Sequence, residues 1–228
     1  MSYKIVALLP MKANSERVKG KNFKELNGKP LYKWILDTLL SIDLIDKVVI
    51  NTDARNIIES IDLIPNDRVV IRDRKQELIG DFVSMNSIIS DDLANFQSEI
   101  YLMTHTTNPF LSSSTILNAL NLFIKEYSEN NIDSLFSVNK YQTRFYREDC
   151  SPINHDPMNL IRTQDLEPWY EENSNLYIFT KKSFVNSNAR IGVNPVLFET
   201  PRLESFDIDN QEDWLLAEIL ASSNLRKI

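Results

Sequence analysis

Two aspartates one residue apart, Asp207 and Asp209 in Ser205-Phe206-Asp207-Ile208-Asp209, are residues whose type and spacing can do chemistry. In extended chain, residues i and i+2 point to the same side. Carboxylates aimed together repel unless a cation or a proton lies between them. Oxygen-rich sites of that kind favour Mg²⁺, which is commonly shared with substrate phosphates. Asp209 also stands where it could cap the helix predicted to follow. Far away in sequence, Lys12, Arg17, Lys19 and Lys21 share a loop with Asn14, Ser15 and Asn22. Cations interleaved with amide and hydroxyl donors suit a polyphosphate. Charge alone is equally consistent with a solvated basic loop. The pattern G-x-x-x-x-G-K-[ST] is absent, so this is not a P-loop.

These groups need a frame to hold them. An apolar run over residues 5–9 stops at Pro10 and reads as a buried parallel strand. The basic loop leaves its carboxyl end, which is where open α/β sheets bind ligands. Asn27-Gly28 marks a turn, and Pro30 suits the first turn of a helix with Leu31, Trp34, Ile35 and Leu39 on one side. Residues 46–52 predict a second strand, ending at Asp53, which would position a metal or loop or cap a helix over 56–61. Further strands are expected over 68–71, 100–104, 132–138, 176–179 and 195–199. Helices are expected over 83–96, after Ser112 to Ser114, and over 211–220. Residues 139–169, polar and turn-rich, read as an excursion from the main sheet.

With 228 residues, 43% hydrophobic and 25% charged, the chain fits one α/β domain over residues 1–228 with a substantial core. A net charge of -7 argues against general nucleic-acid binding and makes the basic loop a local exception. The single cysteine, Cys150, excludes an intramolecular disulfide and reads as a bystander. No segment resembles a signal peptide, and no apolar run approaches the ~20 residues of a membrane span, so the expected location is cytoplasmic.

The order of motifs is specific. Pro10, Ser15, Gly20-Lys21-Asn22 and Gly28-Lys29-Pro30-Leu31 resemble the opening motif of the cytidylyltransferases that activate sialic acids and related 2-keto sugar acids. Met11-Lys12 and Glu16-Arg17 depart from it, and Lys12 keeps a charge but lacks an arginine's planar fork. Asn51-Thr52-Asp53, Arg72 with Gly80-Asp81, the run His105 to Phe110, Arg162-Thr163-Gln164 and the Asp207/Asp209 pair extend the resemblance along nearly the whole chain.

That resemblance implies a Rossmann-like, three-layer nucleotidyltransferase fold with a mostly parallel sheet. It implies a small extension over 139–175 that serves dimerisation and sugar binding in a homodimer. The implied partners are CTP, a 2-keto sugar acid and Mg²⁺, with no nucleic acid and no membrane. Lys12, Ser15, Lys21, Asn22 and Arg72 would bind the nucleotide. His105, Arg144, Arg162 and Gln164 would bind the sugar acid, and Asp207 and Asp209 the metal. Lys21 would stabilise charge on the phosphates and Asp209 would accept the hydroxyl proton.

Each role has a plainer counterpart. Arg72 and Arg74 could pair with Asp73 or Glu77, Arg144 and Arg162 with Glu148 or Asp165, and His105 could be a structural donor. Glu171-Glu172 departs from the family and would repel a sugar acid if it faced one. Two rival functions share these motifs: a metal-dependent glycosyltransferase, and a nucleotide-binding protein without turnover.

Overall fold

The computed structural model describes residues 3–60 and 66–223. Strand β1, Ile5–Leu8, is buried at every position. A two-stranded ribbon follows, β2 (Glu25–Leu26) and β3 (Lys29–Pro30), closed by Asn27 and Gly28, both at positive φ. That is the backbone an Asn-Gly hairpin turn requires. Helix α1 is Leu31–Leu40, β4 is Lys47–Thr52, α2 is Arg55–Ser60 and β5 is Val69–Asp73. Helix α3 (Met85–Asn95) leads to β6 (Ile100–Thr104), and α4 (Ser113–Glu129) to β7 (Ser134–Tyr141). Strand β8 is Trp169–Phe179, α5 is Lys181–Ser187, β9 is Pro195–Glu199 and α6 is Gln211–Ser222.

The main sheet runs β5-β4-β1-β6-β8-β7-β9. Strands β5, β4, β1 and β6 are mutually parallel, β8 is antiparallel to both neighbours, and β9 is parallel to β7. Alternation along β1 explains the layers. Ile5 and Ala7 face a core shared with Tyr32, Ile35 and Leu39 of α1 and Ile116, Leu120 and Phe123 of α4. Val6 and Leu8 face the opposite core, with Ile89 and Leu93 of α3 and Phe184 of α5. A sheet buried on both faces carries continuous apolar strands, which is why β1, β4 and β6 were readable.

Helix α6 packs apart from both layers. Trp214, Ala217 and Ala221 follow helical spacing and bury against Leu26, Leu31, Trp34 and Phe110. This docking carries the residues just before α6 to the root of the basic loop. No described helix is long and apolar enough to cross a membrane.

Most predicted elements agree with the structure within a few residues, and the differences have causes. Strand β8 begins at Trp169 rather than 176, because its first half is exposed and pairs with the far end of β7 beyond a bulge near Val138. Glu171 and Glu172 are therefore strand residues. The excursion accordingly spans residues 142–168. Helix α5 and the β2–β3 ribbon are too short to show a period. Ile61, the last residue of the predicted helix 56–61, lies outside the described residues.

The loop between α5 and β9 is held tightly. Asp133 accepts from the backbone N–H groups of Val193 (2.8 Å) and Asn194 (3.1 Å), and Ser134 Oγ from Gly192 (2.7 Å). A Cβ on Gly192 would overlap Asp133 Oδ1 and Ser183 Oγ. Gly192→Ala is expected to cost about 1–3 kcal/mol through overpacking. A thermal melt should then fall by several degrees, and an unchanged melt would show that the loop relaxes freely.

Candidate active site

The strand register continues past β1. Leu9 N–H donates to the Val49 carbonyl (2.9 Å) and Met11 N–H to that of Asn51 (3.0 Å), so the chain stays beside β4 until the loop departs. Asp53 accepts from Ala13 N–H at 2.7 Å, so it positions the loop. Gly20, at φ 63°, turns the chain into a short 3₁₀ turn, Lys21–Phe23. That turn buries Lys21 and Asn22. Asn22 donates to the Lys12 carbonyl (2.7 Å) and accepts from Thr106 Oγ1 (2.6 Å), fastening the loop to the end of β6.

Lys21 Nζ donates to the carbonyl of Ile208, which lies between the two aspartates. Residues 206–209 form no strand, and Ile208 N–H donates to the Thr107 carbonyl at 3.0 Å. Ile208 is buried in the α6 cluster, so Asp207 and Asp209 flank an inward-facing residue. Asn210 caps α6, with Asp213 completing a capping box, so the capping alternative for Asp209 is overturned. The Asp209 carboxylate instead meets Arg17 at 3.0 Å and Lys21 at 3.8 Å.

Burial pushes the Asp207 carboxyl above its ordinary range, and the charges of Asp209 and Asp213 add to this against Thr107 and Lys21. Its Oδ1 is buried with no hydrogen-bond partner. A buried oxygen left without a donor is suited to a cation. Among the described residues no group of three or more His, Cys, Asp or Glu side chains gathers. The oxygen-only pair therefore fits Mg²⁺ as part of a shell completed by phosphates and water. Burial lowers the Lys21 pKa, while Asp207 and Asp209 oppose that effect.

The other nucleotide candidates are spread wider. Lys12 bonds Asp81 at 2.6 Å, and Ser15 is half-buried in the loop. Arg72 is clamped by Asp91 (2.5 Å) and Asp92 (2.7 Å) of α3, rather than by Asp73 or Glu77. Asp73 is taken by Arg55. Truncating one partner of a buried pair leaves the other uncompensated, at about 3–5 kcal/mol. Arg72→Met should therefore lower the melting temperature strongly. A normal melt with a raised KM for CTP alone would make Arg72 a pure ligand contact. Arg74, which the sequence reading did not select, bonds Asn51 Oδ1 (3.0 Å) and the carbonyls of Asn51 (2.8 Å) and Met11 (3.2 Å). It lies under the loop root, and its place directly after β5 was the signal that could have found it.

His105 follows β6 and is half-buried. Burial, with Arg190 and Lys21 adding to it, pushes its pKa down to about 4. The imidazole is neutral at ordinary pH and suits hydrogen bonding rather than acid catalysis. Arg144, Arg162 and Gln164 lie in the excursion, and among the described residues no hydrogen bond or ion pair joins them to Lys21, Asp207 or Asp209. Arg144 donates to the Ile161 carbonyl (2.7 Å), and its Nε is buried without a partner. Arg162 pairs with Asp165 through two bonds (2.7 and 3.1 Å), and Gln164 is exposed. Glu171 accepts from Asn139 (2.9 Å) and Tyr141 (3.1 Å). Glu172 accepts from Tyr177 Oη and Arg190, so its charge does not stand bare. Arg190 belongs to no motif, and nothing in its sequence neighbourhood singles it out.

The family profile described as Cytidylyltransferase matches residues 6–226. A pseudaminic acid cytidylyltransferase from Campylobacter jejuni is 25% identical over 97% of both chains. A CMP-N,N'-diacetyllegionaminic acid synthase from Legionella pneumophila is 27% identical, again over 97% of both. Among solved structures, the 4-diphosphocytidyl-2C-methyl-D-erythritol synthase of Anaerococcus prevotii superposes with a TM-score of 0.69 at 15% identity, covering 97% of each chain. At that identity the likeness is one of fold.

Proposed function

This chain belongs to the cytidylyltransferase family, and from that premise we propose that it makes a CMP-sugar and pyrophosphate from CTP and a 2-keto sugar acid of the nonulosonic kind. The observation that carries the reading is the bond from Lys21 to the Ile208 carbonyl, which joins the basic loop to the Asp207/Asp209 pair. One place thus gathers cations that suit phosphates and carboxylates that suit a metal, which supports the reading. The relatives named pseudaminic acid cytidylyltransferase and CMP-N,N'-diacetyllegionaminic acid synthase match over nearly the full chain.

The triphosphate would lie along the loop from Lys12 through Ser15 to Lys21, with Asn22 holding the loop's shape. The anomeric hydroxyl attacks the α-phosphorus in line; a new P–O bond forms as the bond to pyrophosphate breaks. Lys21 stabilises charge on the phosphates, and Asp209 accepts the hydroxyl proton. Mg²⁺ held by Asp207 and Asp209 would supply further neutralisation of phosphate charge. Neutral His105 bonds a sugar hydroxyl. Arg72, held by Asp91 and Asp92, supports the base side of the site. Positioning does most of the work in such transfers, and no covalent enzyme intermediate is needed.

The sugar-acid contacts of Arg144, Arg162 and Gln164 would be made across a homodimer. Each excursion then reaches the partner's site, and the enzyme works in the cytoplasm. The test is a panel of keto sugar acids incubated with CTP and Mg²⁺, read as pyrophosphate release. Release with a nonulosonic acid is expected. CTP binding with no release for any acid would instead indicate a nucleotide-binding protein, and turnover only with a preformed nucleotide-sugar would indicate a glycosyltransferase.

A further inference from the structure

Asn51 and Asp92 are polar side chains sealed inside the fold, at 0% and 1% exposure. Buried amides and carboxylates are unfavourable unless they are hydrogen-bonded. Asn51 uses both ends of its amide. Its Nδ2 donates to Asp92 Oδ1 (2.7 Å), and its Oδ1 accepts from Arg74 Nε (3.0 Å). Asp92 Oδ1 also accepts from Arg72 Nη1 (2.7 Å). Arg74 Nη2 goes on to the carbonyls of Asn51 (2.8 Å) and Met11 (3.2 Å). A continuous run of hydrogen bonds therefore leads from Met11, at the root of the basic loop, through Arg74, Asn51 and Asp92 to Arg72.

The sheet sets these groups side by side. Asn51 and Arg72 are in register across β4 and β5. Val49, two residues before Asn51, packs with Ile89 and Leu93 of α3, so Asn51 faces the same helix. Arg74 N–H donates to the Thr52 carbonyl (2.8 Å), which carries the β4–β5 ladder one step beyond β5. Met11 forms a bridge with Thr52 on the other edge of β4. Asn51 thus stands between the chain that carries the loop and the chain that carries Arg72. Joining an arginine to a carboxylate takes a side chain with both an acceptor and a donor. Leucine has neither, aspartate would face Asp92 with a like charge, and serine lacks the second arm.

Resting on the reading that the basic loop takes the triphosphate and Arg72 the base side, we propose that Asn51 and Arg74 are positioning residues for CTP. They tie the phosphate half of the site to the base half and hold the two at a fixed separation. CTP spans both halves, so a rigid site binds it as a single unit. With the halves free to shift, the nucleotide would have to order them on binding, which lowers affinity. A ligand that meets one half alone has no use for the tie. Inorganic triphosphate is such a ligand, since it has no base to offer Arg72. Arg74 itself need not touch the nucleotide in this role.

The test compares CTP with inorganic triphosphate, each titrated into the full chain by calorimetry without Mg²⁺. Asn51→Ser and Arg74→Met should each weaken CTP by about 10-fold or more, the scale for losing a preorganised geometry. Inorganic triphosphate should stay within a few-fold of its wild-type affinity. The double variant should lose little more than either single one, because both break the same tie. Arg74→Lys keeps the buried charge but lacks the fork, so it should show the same selective loss in weaker form. It decides the matter if melting curves show that Asn51→Ser and Arg74→Met do not fold. Equal losses for the two ligands overturn the proposal, because the residues would then shape the loop alone. So does wild-type affinity for CTP in every folded variant, and so do fully additive losses in the double variant. A wild type that binds CTP no better than inorganic triphosphate also overturns it, since no base contact would need placing. The selective loss in a protein that releases no pyrophosphate with any acid would leave the tie supported and defeat only the catalytic reading.

Discussion

Asp207→Asn and Asp209→Asn should each reduce Mg²⁺-dependent turnover by on the order of 10³-fold, the loss expected when a preorganised charge partner is removed from a transition state. Asparagine keeps the volume but halves the oxygen donors and removes the charge. Oδ1 of Asp207 is buried with no protein donor, and an asparagine amide oxygen can keep the side chain's hydrogen bond with Thr107. Asp209 N–H rather than its carboxylate bonds Asp213, and Asn210 caps α6. Both variants should therefore melt close to the wild type. Pyrophosphate release measured against Mg²⁺ concentration decides the matter. If either variant keeps the wild-type Mg²⁺ response, its aspartate is not a metal ligand.

Lys21→Ala should lower turnover by about 10²-fold or more, because it removes the buried cation that the proposed function sets against the phosphates. The effect on the metal should run the other way. Lys21 opposes a second cation electrostatically near Asp207 and Asp209, 3.8 Å from the latter. Without it the half-saturating Mg²⁺ concentration should stay equal or fall while kcat drops. A rise in that concentration together with a normal kcat would make Lys21 a structural tie to the Ile208 carbonyl and no more.

Much of the frame was legible because β1, β4 and β6 are buried on both faces and so spell continuous apolar runs. The beginning of β8 was not, since exposed positions from Trp169 to Glu172 carry no alternation and depend on pairing with β7. In the site, Lys21, Asp207 and Asp209 were readable as residue types with a spacing. The setting of Arg72 was not, because it depends on Asp91 and Asp92 arriving from another helix. Arg190 was invisible for the same reason: its partners, Glu172 and Tyr177, are brought to it by sheet pairing and a pinned loop. Distance in sequence between partners is what hides such groups, whatever their chemical character.

The bond between Lys21 and Ile208 spans 187 positions of chain. At a synthesis rate of about 5–20 residues per second, roughly 10–40 seconds separate the making of the two halves of the site. A nascent chain therefore carries the basic loop, and β1 behind it, for much of translation with no aspartate pair to work with. If the aspartate pair holds the metal as proposed, nucleotide chemistry waits until Trp214 has docked and brought residues 207–209 against the loop. A chain released before that point is expected to consume no CTP, which a truncation ending before residue 205 would check by pyrophosphate release.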